Sequence, residues 1–531
     1  MSAPRFAPLD WVRDYRRSDL KGDLVSGAVL AAVLVPQAMA YARVAGLPPI
    51  TGLYAATVPL VVYAALGRSH TLGLGPVASL ALLAAAGLSK LADAGSAEYV
   101  AFAATLALLT GVVHLFVGIA RLGFVVRFLS APVLRGFLAG LGITVIVTQV
   151  APMLGYTVGV GDLTDVLGEV VRGLDKTSWA AAVLAASTLV VLEACRRVTW
   201  LPGPLVVVVA GIVLSVVLDL GTKGVPLVGS VPSELPGVAI PPLEFNAVKT
   251  LVPTALAISL ISIVESWAMA RRYALVAGYA VSADREITAV GAANVAAGVF
   301  QGMPVTGAIS RATVGHNAGA RTPLSLALAA AGVVAVLGVA TGALAELPDA
   351  VLAALVVDAV IRFVNIPEAR RLWRVKRIDF WLAVVAFVST LGLGIELGVL
   401  LSVTASMLAV ALRASRPHVT VRLSGRGDGV LEVRVVDELF FGNAEYLDEA
   451  IEAALEQEHD ITTLQLDVEG VADLDSTADE MLRRLATASR DLGRSVVVSG
   501  AQPEVRAVMD ASGLSELVTF ADAPRSEPSA D

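Results

Sequence analysis

The stretch GMPVTGAISRATVGHNAG, residues 302–319, separates two long apolar runs and carries an arginine, Arg311, where lipid-spanning sequence should carry none. Pro304 and Gly307 stop a continuous helix, the small residues after them can restart one, and Asn317 ends it after a few turns. Such a helix is too short to cross about 30 Å of hydrocarbon. Irregular backbone at membrane depth survives only where protein or a watery cavity covers it, so the sequence predicts that this break lines a binding site.

The start of this short helix is expected to attract negative charge. The N–H groups near Ile309, Ser310 and Arg311 have no preceding turn to bond to, and together they act as about half a positive charge. The guanidinium of Arg311 adds a full charge. An anion is therefore the predicted ligand.

The composition is typical of a membrane protein with many spans. Of 531 residues, 56% are hydrophobic and only 16% are charged, and the mean hydropathy is +0.75. The net charge of −8 argues against nucleic-acid binding. The single cysteine, Cys195, excludes an internal disulfide and a thiolate metal cluster. No nucleophile stands beside a base and no cluster has metal-ligand spacing, so the sequence predicts no enzyme, metal site or cofactor.

Apolar runs recur along residues 23–413 and predict an α-helical membrane domain of about fourteen segments. They fall into two halves of seven, residues 23–220 and 247–413, joined by a proline-rich linker. The third run of each half is short and broken, at 72–83 and 304–314. Such a pair predicts an inverted repeat whose binding site lies between two facing helix N-termini. Alternatively, the glycines and proline of the first of these runs only kink a packed helix.

Both ends of the chain lie outside the predicted membrane domain. Residues 1–22 lack a cleavable signal pattern and are rich in basic residues, so a cytoplasmic leader is predicted. After residue 413, short strands alternate with amphipathic helices, which predicts a soluble α/β domain over residues 418–521. The last residues, 522–531, are predicted to be disordered. Strands are expected at 430–437, 462–468 and 495–500, and helices at 443–457, 476–491 and 502–513.

Several long motifs resemble the sulfate permease (SulP) family of anion transporters. They are VPQAMAYARVAGLPPITGLYAATVP at 35–59, GLGPVASL at 73–80, SIVESWAMARRY at 262–273, GAANVAAGVFQGMPVTGAISRATVGHNAGART at 291–322 and DELFFGNAEYL at 437–447. The resemblance implies fourteen membrane segments in two inverted repeats, divided into a core domain and a gate domain. It also implies a cytoplasmic STAS domain at the C-terminus, a homodimer and transport by an elevator motion.

The resemblance also implies which residues form the anion site. They are Gln37 and Tyr41 on the first segment, Val77 and Ala78 on the third, and Ile309, Ser310 and Arg311 on the tenth. The residue types agree, since an amide and hydroxyls donate hydrogen bonds, although an interhelical hydrogen bond would satisfy Gln37 equally well. Val77 stands where some relatives carry an aromatic residue. The substrate is therefore left open among sulfate, bicarbonate and a dicarboxylate.

Glu265 lies within an apolar predicted helix, where an unpaired charge costs roughly 2.5–3.5 kcal/mol, so it should be protonated or paired. Arg311 is the expected partner. The resemblance links an acid at this position to sodium coupling, usually with aspartate, or to proton coupling, more often with glutamate. A bound anion would weaken the attraction to Arg311 and favour protonation of Glu265, which predicts symport. The alternative is a permanent bridge that only fastens two helices.

In the C-terminal domain, Ser476 falls where related anti-sigma antagonists carry a phosphorylated serine, and it is a candidate phosphorylation site. Alternatively, Ser476 or Thr477 only caps the following helix.

Taken as a whole, the sequence predicts a secondary active anion transporter of the inner or plasma membrane that works by proton symport. Two other functions stay open. One is a sodium-coupled or uncoupled anion exchanger. The other is a membrane-anchored signalling scaffold whose STAS domain recruits a cytoplasmic partner.

Overall fold

The chain folds into two compact units, residues 1–406 and 407–531. The structure is a computed structural model that describes residues 8–124, 130–159, 161, 163–197, 202–424, 429–457 and 460–521. The predicted disordered tail at 522–531 and the first seven residues of the predicted leader lie outside the described residues.

The first unit is built from helices. Its first half holds α1 (Leu20–Val44), α2 (Pro49–Ala55), α3 (Val58–Leu66), α4 (Ala78–Leu88), α5 (Ala97–Ile119), α6 (Ala131–Met153), α7 (Leu163–Arg172), α8 (Trp179–Cys195) and α9 (Gly203–Leu218). Its second half holds α10 (Phe245–Ala277), α11 (Ala283–Val299), α12 (Ile309–Asn317), α13 (Leu324–Val339), α14 (Thr341–Ala345), α15 (Asp349–Val360), α16 (Ile366–Val375) and α17 (Arg377–Gly392). Helix α18 (Ile395–Ala414) begins in the first unit and ends after the boundary at residue 406.

Hydrophobic periodicity predicted this helical architecture. Within the described chain, seven helical stretches are long and apolar enough to cross a membrane by length and composition, and α4, α8, α9 and α13 are shorter apolar helices. The expected α-helical membrane fold is confirmed. The helices α7 and α16 lie outside the predicted apolar runs, because both are amphipathic and polar residues dilute their hydropathy.

The helices pack into two groups. The first group, α1 to α5 with α10 to α13, packs around the two short helices α4 and α12. We call it the crossing group, because the strands that precede α4 and α12 meet inside it. The second group, α6, α8, α9, α15 and α17, packs around α6 and α15. Direct contacts between the groups run chiefly from α1 to α9 and α15, and from α4 to α6.

Two very short strands meet inside the crossing group. Strand β1 (Leu74–Gly75) pairs antiparallel with β2 (Thr306–Gly307), and each strand leads into a short helix, β1 into α4 and β2 into α12. The tenth segment is therefore broken, and its helix runs only from Ile309 to Asn317. Glycine is required at 307, because a Cβ there would lie 2.2 Å from Cδ1 of Leu72.

Side chains from neighbouring helices complete the pairing of β2. The amide of Asn294, on α11, donates to the carbonyl oxygen of Val305 at 2.9 Å and accepts from its N–H at 2.9 Å. The hydroxyl of Ser266, on α10, accepts from the N–H of Gly307 at 3.1 Å. Thr306 donates to the carbonyl oxygen of Ser262 at 3.2 Å. Side chains thus bond the backbone of β2 and of the residue before it, which pairing with β1 alone would not achieve.

The first helix holds the far end of α12. The fully buried carboxylate of Asp23 accepts hydrogen bonds from the N–H groups of Arg321 and Thr322 at 2.8 and 3.0 Å. The hydroxyl of Ser26 donates to the carbonyl oxygen of Gly315 at 3.1 Å. Helix α1 therefore fixes the backbone that leaves α12.

The second unit contains a five-stranded sheet of order β3-β4-β5-β6-β7, antiparallel between β3 and β4 and parallel elsewhere. The elements are β3 (Val419–Ser424), β4 (Val430–Val435), α19 (Ala444–Gln457), β5 (Thr463–Asp467), α20 (Ser476–Asp491), β6 (Ser495–Ser499), α21 (Pro503–Ser512) and β7 (Thr519–Ala521). The three expected strands and three expected helices are present. The two edge strands, β3 and β7, were not predicted.

The predicted capping of α20 by Ser476 or Thr477 is wrong by one residue. Asp475 is the N-cap, and its carboxylate accepts from the N–H of Ala478 at 2.8 Å and from the N–H of Phe441 at 2.7 Å. A carboxylate is favoured here because it meets the positive end of the helix. Ser476 is the first helical residue and is exposed.

We expect Gly307→Ala to destabilise the crossing of β1 and β2. The added Cβ would overlap the side chain of Leu72, and overpacking of this kind costs about 1–3 kcal/mol. Thermal unfolding of the detergent-solubilised protein, followed by size-exclusion chromatography, measures the effect. Gly338→Ala is the matched control, since nothing lies within 4 Å of the added Cβ. Equal melting temperatures for the two variants would contradict the prediction.

Candidate functional site

The two short helices begin close to the shared strand ladder with unpaired N–H groups. The first N–H of α4 that bonds to a turn carbonyl is that of Ala81, which donates to Val77 at 2.9 Å. In α12 it is that of Ala312, which donates to Ala308 at 2.9 Å. In the described part of the chain, the N–H groups of the three residues before each of these have no protein acceptor. They are those of Ala78, Ser79 and Leu80 in α4, and of Ile309, Ser310 and Arg311 in α12.

Arg311 is fully buried beside this ladder, and oxygen atoms surround its guanidinium. Nε donates to the carbonyl oxygen of Gly73 at 2.8 Å, and Nη1 donates to that of Pro76 at 2.9 Å. Nη2 donates to the carbonyl oxygens of Gly75 and Thr306 at 3.1 and 3.2 Å. The fifth N–H, also on Nη1, points at the amide oxygen of Gln37. All the donors of the guanidinium are therefore used, and Arg311 ties β1 to β2.

The fifth acceptor is Oε1 of Gln37, at 3.4 Å from Nη1 of Arg311. Because an arginine can only donate, this contact fixes the orientation of the amide and turns its NH₂ group away from the guanidinium. Among the described residues, no acceptor is bonded to that NH₂ group. Tyr41 lies one turn further along α1, is 5% exposed, and its hydroxyl has no partner in the described chain. The site thus gains two neutral donors beside the helix ends.

The other predicted site residues lie at the two helix starts. Val77 is the residue before α4 and Ala78 is its first residue, and both are buried. Ile309 and Ser310 are the first two residues of α12, and both are exposed. The side chains at the start of α12 are therefore exposed, whereas those at the start of α4 are buried.

Glu265 faces the start of α4, where its Oε1 lies 3.5 Å from the hydroxyl of Ser79. The predicted ion pair between Glu265 and Arg311 is wrong, since in the described chain no such bridge forms and other oxygens occupy every guanidinium donor. The physical reason is that four carbonyl groups of the strand crossing compete for the arginine at short range. Glu265, which is partly exposed, lies at a positive helix end instead.

His114 lies buried behind this region. Its Nδ1 is 2.8 Å from the carbonyl oxygen of Thr110, and its Nε2 is 3.0 Å from the hydroxyl of Ser262. The carbonyl can only accept, so Nδ1 carries the proton and Nε2 accepts from Ser262. The ring is satisfied as a neutral group, and it fixes α5 against α10.

A cavity of about 620 Å³ separates parts of the two helix groups. Its lining includes Ala40, the neighbour of Tyr41, and two ion pairs. Arg43 at the end of α1 pairs with Asp349 at the start of α15, at 2.9 Å, and Lys90 after α4 pairs with Glu396 of α18, at 2.5 Å. These pairs connect the crossing group to α15 and α18. No group of three or more His, Cys, Asp or Glu that could hold a metal occurs in the described chain.

Sequence reasoning missed Asn294, whose side-chain amide makes the two hydrogen bonds to the backbone of Val305 that a neighbouring strand would otherwise make. The available signal was a lone amide in a helix of small residues, GAANVAAG, where an unpaired amide would be costly. It also missed that Arg311 would bind carbonyl groups, because the sequence does not show which oxygens lie within reach.

Comparison with protein families gives two matches along the chain. Residues 20–386 match the sulfate permease family, and residues 426–526 match the STAS domain.

Named relatives match over almost the whole length. The probable sulfate transporter of Mycobacterium tuberculosis strain CDC 1551 is 35% identical over 526 residues, which cover 95% of this chain and 94% of the relative. The chloroplastic sulfate transporter 4.1 of Arabidopsis thaliana is 32% identical over 545 residues, covering 96% and 79%.

Solved structures share the fold at low identity. A structure of SLC26A9 matches with a TM-score of 0.89 and 22% identity, covering 97% of this chain and 90% of that chain. The transmembrane domain of the cyanobacterial bicarbonate transporter BicA matches with a TM-score of 0.66 and 23% identity, covering 74% and 98%.

We expect Arg311→Lys to destabilise the protein although it keeps the charge. An ammonium offers three donors without the planar fork, so at least two oxygens of the crossing would lose their bonds, at a cost of about 3 kcal/mol in total. Thermal unfolding of the purified full chain measures the loss. Arg271→Lys, at an exposed arginine of α10, is the control that should leave stability unchanged. An Arg311→Lys protein as stable as this control would show that the guanidinium contacts contribute little.

Proposed function

The chain belongs to the sulfate permease family, a family of transporters rather than enzymes, and on that basis we propose that it is a secondary active transporter of an oxyanion. One observation carries the proposal. Two helix N-termini with unpaired N–H groups begin beside the same ladder, next to the free amide donors of Gln37 and the free hydroxyl of Tyr41. An oxyanion accepts hydrogen bonds from all of these groups.

The electrostatics of the site favour a negative ligand. Each helix start contributes roughly half a positive charge, and the buried Arg311 adds one. Arg311 acts through its charge and through Gln37, whose amide it orients, rather than by direct contact. An anion held by neutral donors can leave more readily than one held in a bidentate guanidinium contact, which suits a transporter.

Sulfate is the leading candidate, because the curated relatives that match most of the chain are named sulfate transporters. Bicarbonate and dicarboxylates offer similar acceptor oxygens. A panel of labelled sulfate, bicarbonate and dicarboxylates, tested for uptake into proteoliposomes, distinguishes them.

We expect Gln37→Leu to raise the KM for anion uptake by about tenfold or more. The variant removes a hydrogen bond to a charged ligand, and such bonds contribute about 1.5–3 kcal/mol. Uptake into proteoliposomes measures the change. Thr188→Val is the control, because that hydroxyl bonds only within its own helix, α8, at 2.8 Å from the carbonyl oxygen of Leu184. If Gln37→Leu transports as the control does, the amide takes no part in anion binding.

We further propose that the transport is coupled to protons through Glu265. When ionised, its carboxylate lies at the start of α4 and competes with a bound anion for the same positive helix end. Like charges repel, so a bound anion favours the protonated form of Glu265. By linkage, a proton on Glu265 favours anion binding to the same degree, and the two ions move together. Sodium coupling and uncoupled exchange are the competing outcomes.

We expect Glu265→Gln to abolish proton-driven accumulation while it preserves exchange of anions down their gradient. With acid outside and the membrane potential held at zero, one proton per anion supports about tenfold accumulation for each pH unit. Radiolabelled uptake with and without the gradient measures it. Glu193→Gln, an exposed carboxylate of α8, is the control. Wild-type accumulation by Glu265→Gln, or accumulation that requires sodium, would refute proton coupling at this residue.

The proposal includes an elevator motion of the crossing group against the second group. Support comes from the contacts that would have to part, which include the ion pairs Arg43–Asp349 and Lys90–Glu396 beside the cavity. In both pairs the basic side chain is partly exposed, at 35% for Arg43 and 50% for Lys90, so water can reach it when the pair separates.

Location and assembly complete the proposal. Basic residues concentrate where α1 starts, which favours an inner membrane location with the N-terminus in the cytoplasm. We place the STAS domain on the same side. The family resemblance favours a homodimer, and Ser476, exposed at the start of α20, is the proposed phosphorylation site for regulation by a cytoplasmic partner.

A further inference from the structure

We propose that α16 lies in the plane of the cytoplasmic membrane surface and binds anionic phospholipid headgroups. Helix α16 connects α15 to α17 and has the sequence IPEARRLWRV. None of its ten residues is buried. Leu372 is partly buried and Trp373 contacts Phe380 and Trp381 of α17, but Ile366 and Trp373 stay exposed and require an apolar environment outside the described chain.

The two faces of α16 differ in chemistry. At 100° per residue, Ile366, Ala369, Leu372 and Trp373 share one side, and Arg370, Arg371 and Arg374 share the other. Ile366 and Trp373 are 58% and 43% exposed. Arginines beside an exposed apolar face with tryptophan are typical of a helix that lies at the boundary of headgroups and acyl chains.

The cationic face of α16 carries more arginines than the acidic residue of the helix can pair with. Glu368 is the only acidic residue of α16, and it pairs with Arg135 of α6 and with Arg371. In the described chain, Arg370 and Arg374 form no ion pair or hydrogen bond. Together with Pro367, Arg371 and Val375 they surround a shallow concavity. Arginine side chains converging on a concave surface match the geometry of a phosphate group.

The topology places α16 at the end of the membrane domain where the N-terminal leader lies. Arg43, at the end of α1 far from the leader, pairs with Asp349, at the start of α15. Helix α15 therefore runs back toward the start of α1, and α16 follows it. The leader is also basic there, with Arg13, Arg16, Arg17 and Lys21. Two basic segments at one end indicate the cytoplasmic leaflet, which is the anionic one.

The aromatic residues in and next to α16 also indicate a position at the interface of headgroups and acyl chains. Trp373, Phe380 and Trp381 form an edge-to-face cluster, with ring centroids 5.0 to 6.4 Å apart. Arg377 lies over the ring of Trp373 at 5.3 Å. Trp381 is 55% exposed. Tryptophan with a neighbouring arginine is the usual anchor of a membrane interface.

The acidic STAS unit is the competing partner for these arginines. We favour lipid, because an acidic protein surface would match the arginines but would leave Ile366 and Trp373 without an apolar environment.

The test compares the full chain with Arg370→Gln/Arg374→Gln in nanodiscs of phosphatidylcholine with a spin-labelled phosphatidylglycerol probe. We expect the preference for phosphatidylglycerol to fall at least about fivefold in the double variant. Arg172→Gln/Lys176→Gln is the control, since it removes two exposed cations at the opposite end of the membrane domain. An equal preference in both double variants would overturn the proposal.

A second measurement tests depth and the STAS alternative. Fluorescence quenching by brominated lipids, taken as the difference between wild type and Trp373→Phe, should place Trp373 at headgroup level. If the arginine variant instead changes hydrogen exchange in residues 430–521 and leaves the lipid preference intact, α16 binds the STAS unit and the lipid proposal is wrong.

Discussion

The bonds from one buried guanidinium to the carbonyl groups of two interrupted helices support the centre of this protein. Where Pro76 and Gly307 break the helices, backbone oxygens lose their helical donors at a depth where no lipid can replace them. Arg311 supplies donors to four carbonyl groups from both breaks at once. The breaks in the two helices leave carbonyl groups without helical donors, and these carbonyl groups hold the positively charged guanidinium of Arg311 in place.

This arrangement separates two tasks that sequence reasoning assigned to one residue. Arg311 bonds to the carbonyl groups of both breaks, while the NH₂ group of Gln37, the hydroxyl of Tyr41 and the helix N–H groups have no partner in the described chain. The same separation leaves Glu265 at the start of α4, beside the hydroxyl of Ser79. The proposed proton coupling requires this separation, because a carboxylate bridged to Arg311 would be held in its ionised form.

Hydropathy and the positions of glycine and proline were sufficient to predict a helical membrane unit, the two broken segments and the C-terminal α/β domain, because these features are local. The arrangement in two repeats of seven segments stays a prediction. The partners of Arg311, Glu265 and Asn294 depend on which distant segments meet, and no single stretch of sequence contains that information. Helix α16 escaped prediction because its arginines mask its apolar face in a hydropathy average. The cap of α20 was displaced by one residue because Asp475, Ser476 and Thr477 can each cap a helix, and only the contact with Phe441 selects the aspartate.

The distribution of bond strengths favours motion between helix groups over deformation within one. The second broken segment is held by buried hydrogen bonds from α1, α10 and α11, each of which would leave an unsatisfied polar group if broken, at about 1–3 kcal/mol apiece. The polar contacts to α15 and α18 include two ion pairs that line a cavity, and their basic side chains are 35% and 50% exposed, so water can reach them. A force between the groups would therefore separate them before it disturbed the crossing. In the proposed elevator motion, the site would travel with the crossing group while its backbone stays bonded to the same side chains.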